Sequence, residues 1–328
     1  MIIQGFKHKD VTTGEVNKES PTLSRLGRYV MFFVLAMNRW KFFTADVKSA
    51  FLQADDIVDT VGLRIFGIPS RDMRRQLQRI MGLKPNQVLK MRKPAFGDVR
   101  APNLRNKADG TTGELGFWNH RLDPCLYLSS RKAAAEDPEF LIFDNGGQKE
   151  IMDGILGLHV DDFGGGGEGI ECEADIKRWD AEGSFRGRCQ QLSRSFKFGK
   201  WDFRSEQTFT GCRVVQADDG SITLDLEEYM HRVKPLTVEK ARRQCAEEVG
   251  TDKEQSQYQG LCGAWVLPAA QLAMHAAASV SISQAKGGKA TIRDLLDLNK
   301  AVRFMKESAD LPMRFLALCE WDQVRIGA

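Results

Sequence analysis

Aspartates that close two apolar stretches are the residues of this chain best suited to chemistry. Asp46 closes KFFTADV at 41–47, and Asp161 and Asp162 follow GILGLHV at 154–160. If the two stretches form neighbouring strands, three carboxylates converge at one edge of a sheet. Such oxygen ligands suit Mg²⁺, which a few carboxylates usually hold together with water and substrate phosphates. Two Mg²⁺ ions about 3.5–4 Å apart can hold the attacking and leaving oxygens of an in-line phosphoryl displacement.

Motifs for other reaction classes are missing from the sequence. It has no Gly-x-x-x-x-Gly-Lys-Ser/Thr loop, no His-Glu-x-x-His and no Gly-x-Ser-x-Gly. An Asp-Asp pair is weak evidence alone, because the chain has three: Asp55-Asp56, Asp161-Asp162 and Asp218-Asp219. Only the middle pair directly follows an apolar strand, and a solvated hairpin tip is its competing interpretation.

Local sequence patterns predict the secondary structure around these aspartates and in the middle of the chain. Apolar residues at helical spacing predict a helix over about 22–38, and 41–47 and 154–160 predict strands. The glycines at 164–167 supply no side chains to pack, which predicts a loose arm after Asp162. Stretches 209–216 and 221–226 predict a hairpin with an Asp-Gly turn.

The last third of the chain has a helical pattern. Thr291 and Asp294 form a capping-box start for a helix with an apolar face. Strands in the middle followed by helices indicate an α+β fold rather than repeated βαβ units.

Composition indicates an ordinary globular chain of roughly two structural units, because it has 328 residues, 42% of them hydrophobic. Its 47 Lys and Arg nearly balance its 44 Asp and Glu, but the charges lie in blocks. Residues 64–107 carry twelve basic and two acidic side chains, and residues 136–175 carry twelve acidic side chains and one lysine. These blocks are either solvated faces or a polyphosphate-binding groove around an acidic cation site.

The cysteine pattern and the hydropathy of the sequence indicate a cellular compartment and whether a membrane partner is expected. Seven scattered cysteines without a Cys-x-x-Cys pair indicate a reduced, intracellular setting, cytoplasmic or nuclear, and no structural zinc site. No signal peptide is expected at the N-terminus, where charged residues interrupt any apolar run. Residues 260–285 carry no formal charge but are diluted by small and polar residues, which favours two packed helices and no membrane partner.

Six segments, in order and over most of the chain, resemble the reverse transcriptase of copia-type retrotransposons. They are DVKSAFL at 46–52, RLDPCLY at 121–127, HVDD at 159–162, FTGCRV with DDGSITL at 209–224, QYQGLCGAW at 257–265 and AVRFMK at 301–306. HVDD resembles the Tyr-Val-Asp-Asp of that family. The resemblance implies an RNA-directed DNA polymerase domain, one piece of a Pol polyprotein that begins after part of the fingers.

The resemblance implies a right-hand polymerase fold. Residues 1–40 would be partial fingers and a helix leading into the palm. Residues 41–216 would form a palm with an antiparallel sheet backed by helices and a fingers insertion, and 217–328 a mainly helical thumb or connection. Asp46, Asp161 and Asp162 would bind two Mg²⁺ ions, assisted by the backbone carbonyl of Val47.

The family's other site residues can be carried over onto matching positions. The nucleotide would contact Val47, Ala50, Phe51 and Arg100, and the primer and template would contact Gly97, Pro102, Phe209 and Gly211. Phe51 falls where the family places an aromatic that blocks a ribose 2′-hydroxyl, although core packing explains it equally well. Lys197 and Lys200 are candidates for protonating the pyrophosphate. The implied partners are an RNA template, a DNA primer, deoxynucleoside triphosphates and other Pol domains.

Departures from the family pattern keep two other functions open. Residues 95–103 read AFGDVRAPN where the family has Leu-Tyr-Gly-Leu-Lys-Gln-Ala-Pro-Arg, and Asp98 would repel a triphosphate. An inactive remnant that binds nucleic acid through 64–107 is therefore the alternative. A divalent-metal nuclease that uses the same carboxylates ranks last.

Overall fold

The computed structural model describes residues 22–48, 53, 66–67, 75, 79–80, 82, 84, 89–90, 114–121, 123–137, 142–160, 162–178 and 183–318. These divide into two compact units. The first comprises the described residues up to Leu35 and from Trp40 to Phe203, and the second comprises Ala36–Arg39 and the described residues from Arg204 onward. None of the helices described is both long enough and apolar enough to cross a membrane.

The first unit contains most of the strands. Its helices are α1 (Arg25–Asn38, whose last turn counts with the second unit), α2 (Glu173–Lys177) and α3 (Phe185–Ser195). Its strands are β1 (Phe43–Val47), β2 (Phe66–Gly67), β3 (Leu89–Lys90), β4 (Trp118–His120), β5 (Asp123–Lys132), β6 (Ile142–Asn145), β7 (Gln148–His159), β8 (Asp162–Gly167) and β9 (Phe198–Asp202).

The main sheet of the first unit is antiparallel and has the order β4-β5-β7-β8-β1-β9, with β6 paired to β7. Burial alternates along β1, as expected for a strand with one face in the core. Phe43, Ala45 and Val47 are buried, and Asp46 is exposed. The three buried residues join an apolar core with side chains of β7, β8 and α3. The strands predicted at 41–47 and 154–160 are confirmed, although β7 begins six residues earlier than predicted, at Gln148.

The glycine run corrects a prediction, because residues 164–167 form part of strand β8 in the middle of the sheet. A side chain at Gly166 or Gly167 would collide with a helix, on opposite faces of the sheet, and a Cβ at Gly165 would overlap the carbonyl oxygen of Ile155. A Cβ at Gly166 would lie 2.7 Å from Leu35 of α1, and a Cβ at Gly167 would overlap the ring of Phe185 of α3. The expectation of a loose arm was wrong, because side chains from the two helices fill the volume that the glycines leave.

Phe185 is held in a slot between two strands. Gly154 of β7 and Gly167 of β8 are partners in the register, and a Cβ on either would overlap its ring. Asp153, which is fully buried, fixes the same helix end by accepting hydrogen bonds from Phe185 N (2.7 Å) and Ser129 Oγ (2.5 Å). Burial raises the pKa of Asp153, while these hydrogen bonds and the nearby Arg188 guanidinium act in the opposite direction.

The second unit has its own sheet, its own helices and its own core. Its strands, in the order β10-β11-β12-β13, are β10 (Glu206–Phe209), β11 (Cys212–Gln216), β12 (Ile222–Asp225) and β13 (Met313–Phe315). Its α-helices are α4 (Glu227–Arg232), α5 (Asp252–Gln271), α6 (Ala277–Ala285) and α7 (Ile292–Glu307), with 3₁₀ turns at Arg242–Gln244, Met274–Ala276 and Gly287–Lys289. A separate apolar cluster packs α5, α6 and α7 together.

Several predictions for the second unit are confirmed. Thr291 caps α7 with Asp294 in a capping box, and residues 260–285 lie mostly in α5 and α6. Strands β11 and β12 form the predicted hairpin. The prediction of one strand over 209–216 was wrong, because Thr210 and Gly211 form a tight turn with φ of 50° and 80°. The mixed α+β class is confirmed, with antiparallel sheets in both units.

The slot for Phe185 predicts a position-specific cost of adding a methyl group. Gly154→Ala should lower the free energy of unfolding by about 1–3 kcal/mol, because the new Cβ overlaps the ring. Gly260→Ala is the matched control. It lies exposed in α5 with no atom within 4 Å of its Cβ position, so the same change should stabilise the protein by up to about 1 kcal/mol.

Urea denaturation of both variants measures these effects. In a Phe185→Leu background, which removes the distal ring atoms, the cost of Gly154→Ala should shrink. An equal cost in both backgrounds would mean that Phe185 is not what excludes the methyl group.

Candidate functional site

The strands of the β7–β8 hairpin come together at His159 and Asp162, which are partners in the register. Val160 follows His159, and Asp161, the first of the paired aspartates, lies outside the described residues. Val160 has φ of 60°, in the left-handed region that β-branched residues rarely adopt. The tip of the hairpin is therefore a strained backbone segment beside the candidate acids.

Asp46 and Asp162 lie directly opposite each other on neighbouring strands. They are the last pair in the register of β1 with β8. Directly opposite residues of an antiparallel pair point to the same face of the sheet, with Cβ atoms about 4.5–5.5 Å apart. The stretches 41–47 and 154–160 are not themselves neighbours, since β8 lies between them. Asp46 and Asp162 still come together, because Asp162 is the first residue of β8.

These two aspartates belong to a row of four residues across the sheet. Thr22 forms an isolated bridge with His159, which pairs with Asp162, which pairs with Asp46. The row lies on the face that α1 covers, because a Cβ at Gly157, two residues before His159, would contact Met31 of α1. Thr22 and Asp46 are exposed, and the other two are half-buried. The row is thus open to solvent at both ends.

A bulge on the other side of β1 gives the Asp46 side chain its room. The register of β1 with β9 shifts between Ala45 and Val47, opposite Gly199. A Cβ at Gly199 would lie 2.8 Å from Asp46 Oδ2, so the Asp46 carboxylate occupies space that a side chain at residue 199 would need. Bulges of this kind are common next to active sites, where they re-aim a side chain.

Three exposed lysines lie on or beside β1 and its neighbour β9: Lys48 follows the last residue of β1, Lys197 precedes β9 and Lys200 lies within it. The amide of Lys48 donates to the carbonyl of Lys197 (2.9 Å), and the side chain of Gln53 binds the backbone of both residues. Lys200 Nζ lies 3.3 Å from Asp202 Oδ2. Cations beside carboxylates suit a ligand that brings both phosphate groups and metal ions.

The other predicted site residues fall in three places. Val47 is buried in the core of the first unit, so only its backbone could face a ligand. Phe209 and Gly211 lie in the β10–β11 hairpin of the second unit, where the Phe209 side chain is buried. Six predicted residues lie outside the described part of the chain: Ala50, Phe51, Gly97, Arg100, Pro102 and Asp161. Most of the basic block at 64–107 lies outside it too.

The donor set suits magnesium. Asp46 and Asp162 offer carboxylate oxygens on one face of the sheet, which are the ligands that a hard divalent cation prefers. Among the described residues, which leave out Asp161, no group of three His, Cys, Asp or Glu side chains is arranged to hold a metal ion. The described part thus supplies two of the three expected ligands.

Two residues near the row were missed from the sequence. Asp202 lies opposite Thr44 on β9 and ends a strand just as Asp46 nearly ends β1. The stretch FGKWD at 198–202, a short strand that ends in an aspartate, could have indicated Asp202. Gly199 gave no sequence signal, because only the register shift shows that its missing side chain makes room for Asp46.

The bulge predicts that Gly199→Ala weakens divalent-metal binding without unfolding the protein. The methyl group would push the Asp46 carboxylate aside, and we expect the Mn²⁺ affinity to fall roughly tenfold. Stability should change by less than about 0.5 kcal/mol, because residue 199 is exposed and the displaced oxygen ends a side chain that can rotate. Titration followed by electron paramagnetic resonance measures the affinity. Gly263→Ala, in open space on α5, is the control, and equal Mn²⁺ affinities in both variants would contradict the role of the bulge.

Comparison with known proteins adds no relative. A scan against models of known protein families finds none that matches this chain, and a search of curated proteins finds no significantly similar sequence. The sequence resemblance and the register of Asp46 with Asp162 are therefore the features of the chain that bear on its function.

Proposed function

We propose that this chain is the RNA-directed DNA polymerase domain of a copia-type retrotransposon. The main sheet of the first unit would be the palm, and the helical second unit would be the thumb or connection. The observation that carries the proposal is the register that sets Asp46 opposite Asp162. The resemblance names Asp46, Asp161 and Asp162, and the register independently brings Asp46 and Asp162 together.

The opposed aspartates themselves support a cation site. Like charges directly opposite each other on neighbouring strands destabilise a sheet. Such a pair is therefore expected where something else favours it, and a bound divalent cation would turn the repulsion into shared ligation. The strained backbone at Val160 and the bulge opposite Asp46 support the same view, because both kinds of feature cluster at functional sites.

The residues of the chain would divide the work as follows. Asp46, Asp161 and Asp162 would hold two Mg²⁺ ions, and the backbone carbonyl of Val47 would assist. When bound, the ions lower the pKa of the primer 3′-hydroxyl and offset the negative charge on the phosphates and the leaving pyrophosphate. The exposed Lys197 and Lys200 would attract the triphosphate and could supply a proton to the pyrophosphate.

The second candidate function is a remnant that binds nucleic acid without synthesis. The sequence AFGDVRAPN at 95–103 favours it, because Asp98, Val99 and Arg100 stand where the family has leucine, lysine and glutamine. The opposed carboxylates of Asp46 and Asp162 would then be retained from an active ancestor. Both candidates predict binding of a template–primer duplex that weakens as salt rises.

Primer extension on an RNA template with Mg²⁺ separates the two candidates. We expect template-dependent synthesis by the intact chain and at least about a 100-fold lower rate for Asp46→Asn and Asp162→Asn, since lost metal ligation costs several kcal/mol. Asp218→Asn removes an exposed carboxylate from the β11–β12 turn and should leave the rate unchanged. All three variants should melt within a few degrees of the intact chain.

Three outcomes would count against the polymerase. Binding without synthesis by the intact chain would favour the remnant. Synthesis that survives Asp46→Asn and Asp162→Asn would remove the carboxylates from the mechanism. Cleavage of a labelled strand without added nucleotides, lost in the same variants, would favour the nuclease.

A further inference from the structure

Asp123 is a buried carboxylate with no place in the proposed chemistry. It is 4% exposed at the start of β5, and both of its oxygens accept backbone hydrogen bonds. Oδ2 accepts from Ser24 N at 2.8 Å, and Oδ1 accepts from Cys125 N at 2.9 Å. We propose that Asp123 is a positioning residue that holds the hairpin carrying Asp161 and Asp162. This inference rests on the proposed function for its catalytic consequence but not for its structural one.

A short path of backbone contacts joins Asp123 to the hairpin tip. The residue before Ser24 is Leu23, whose N–H donates to the carbonyl of Leu158 at 3.0 Å. The residue before that is Thr22, which bridges His159. The carboxylate of Asp123 thus fixes the segment that pairs with the last two residues of β7.

The hairpin tip depends on this segment because β5 does not reach it. The register of β5 with β7 ends at Leu126 and Gly157, and beyond that point Thr22 and Leu23 lie beside β7. On the other side, β8 pairs with β1 as far as Asp162. The strained Val160 turn is therefore held from both sides, and strained turns persist only where their surroundings determine them.

The Asp123 carboxylate packs directly against the backbone of Gly27 in α1. A Cβ on Gly27 would overlap Asp123 Oδ2, so the carboxylate occupies the space that a side chain at residue 27 would need. Ser24 Oγ accepts from Gly27 N at 2.9 Å and caps α1. A negative charge at the start of α1 is also favoured by the helix dipole.

Asp153 is a matched control within the same sheet. It too is buried and accepts a backbone N–H at a helix N-terminus, that of α3. It lies six residues before His159 on β7, about 20 Å from the tip at the rise of a strand. Loss of either carboxylate should destabilise the unit, but only loss of Asp123 should release the hairpin.

Hydrogen exchange of the intact chain tests the structural part without reference to activity. Asp123→Asn keeps the shape, but its single carbonyl oxygen cannot accept from both Ser24 and Cys125. We expect exchange of peptides within 157–165 to rise roughly tenfold in Asp123→Asn and to stay unchanged in Asp153→Asn, which should instead speed exchange within 185–195. Equal rates at 157–165 in the two variants, raised or not, would overturn the proposal.

Gly27→Ala covers the case in which Asp123→Asn fails to fold. It displaces the carboxylate without removing its charge, and alanine favours the helix. Exchange within 157–165 should rise again, whereas Gly260→Ala, in an open helical position, should leave it unchanged. Unchanged exchange in Gly27→Ala would also overturn the proposal.

Kinetics and metal binding test the functional part. Asp123→Asn should lower the kcat of primer extension and the Mn²⁺ affinity by roughly tenfold or more, as loss of a group that orients metal ligands does, with the KM for template–primer within about twofold. Asp153→Asn should change neither the kcat nor the Mn²⁺ affinity by more than about twofold at temperatures where it is folded. If the intact chain lacks synthesis, the proposed function fails while exchange still decides the role of Asp123. Equal losses of kcat or of Mn²⁺ affinity in the two variants would reduce Asp123 to a stability residue.

Discussion

The register of β1 with β8 is the constraint on which the rest of the first unit depends. A slip of one residue would turn Asp46 to the opposite face of the sheet from Asp162 and bring Phe43 and Ala45 out of the core. The register is fixed mainly by packing, because β8 offers only Phe163 as a large apolar side chain. Its glycines let α1 and α3 approach the sheet so closely that the side chains of the two helices specify the alignment. The glycines at 164–167 thus help to fix the register that sets Asp46 opposite Asp162.

Two buried carboxylates attach those helices to the sheet. Asp123 accepts the backbone N–H of Ser24, just before α1, and Asp153 accepts that of Phe185, the first residue of α3. Burying a carboxylate is unfavourable unless hydrogen bonds satisfy it, and each of these accepts at least two. The arrangement links the helix ends to particular strand residues, so a helix cannot slide along the glycines without leaving a buried charge unsatisfied.

The sequence predicts those strands and helices whose own side chains show a burial or capping pattern. Strand β1 was predictable from its alternation, and the start of α7 from the capping residues Thr291 and Asp294. Strand β8 was missed because glycine carries no such signal, and the break at Thr210 because threonine seldom adopts a positive φ. The sequence predicted that Asp46 and Asp162 meet, but through adjacent strands at 41–47 and 154–160, whereas they meet because Asp162 begins β8, which lies between those two strands. The bulge at Gly199 and the anchoring by Asp123 were not predictable, because both depend on partners more than 90 residues away along the chain.

Three departures from regular sheet structure occur close to Asp46 and Asp162 in the main sheet of the first unit. Like charges face each other at Asp46 and Asp162, a β-branched residue takes a left-handed turn at Val160, and the register slips opposite Gly199. Elsewhere the main sheet buries its apolar face, although its register also shifts between Asn119 and His120 and between Ser129 and Ser130. Each exception alone has an ordinary explanation, but a sequence shaped by stability alone would not gather them around the same two carboxylates. Their occurrence around Asp46 and Asp162 supports the proposal that this end of the sheet is the functional site.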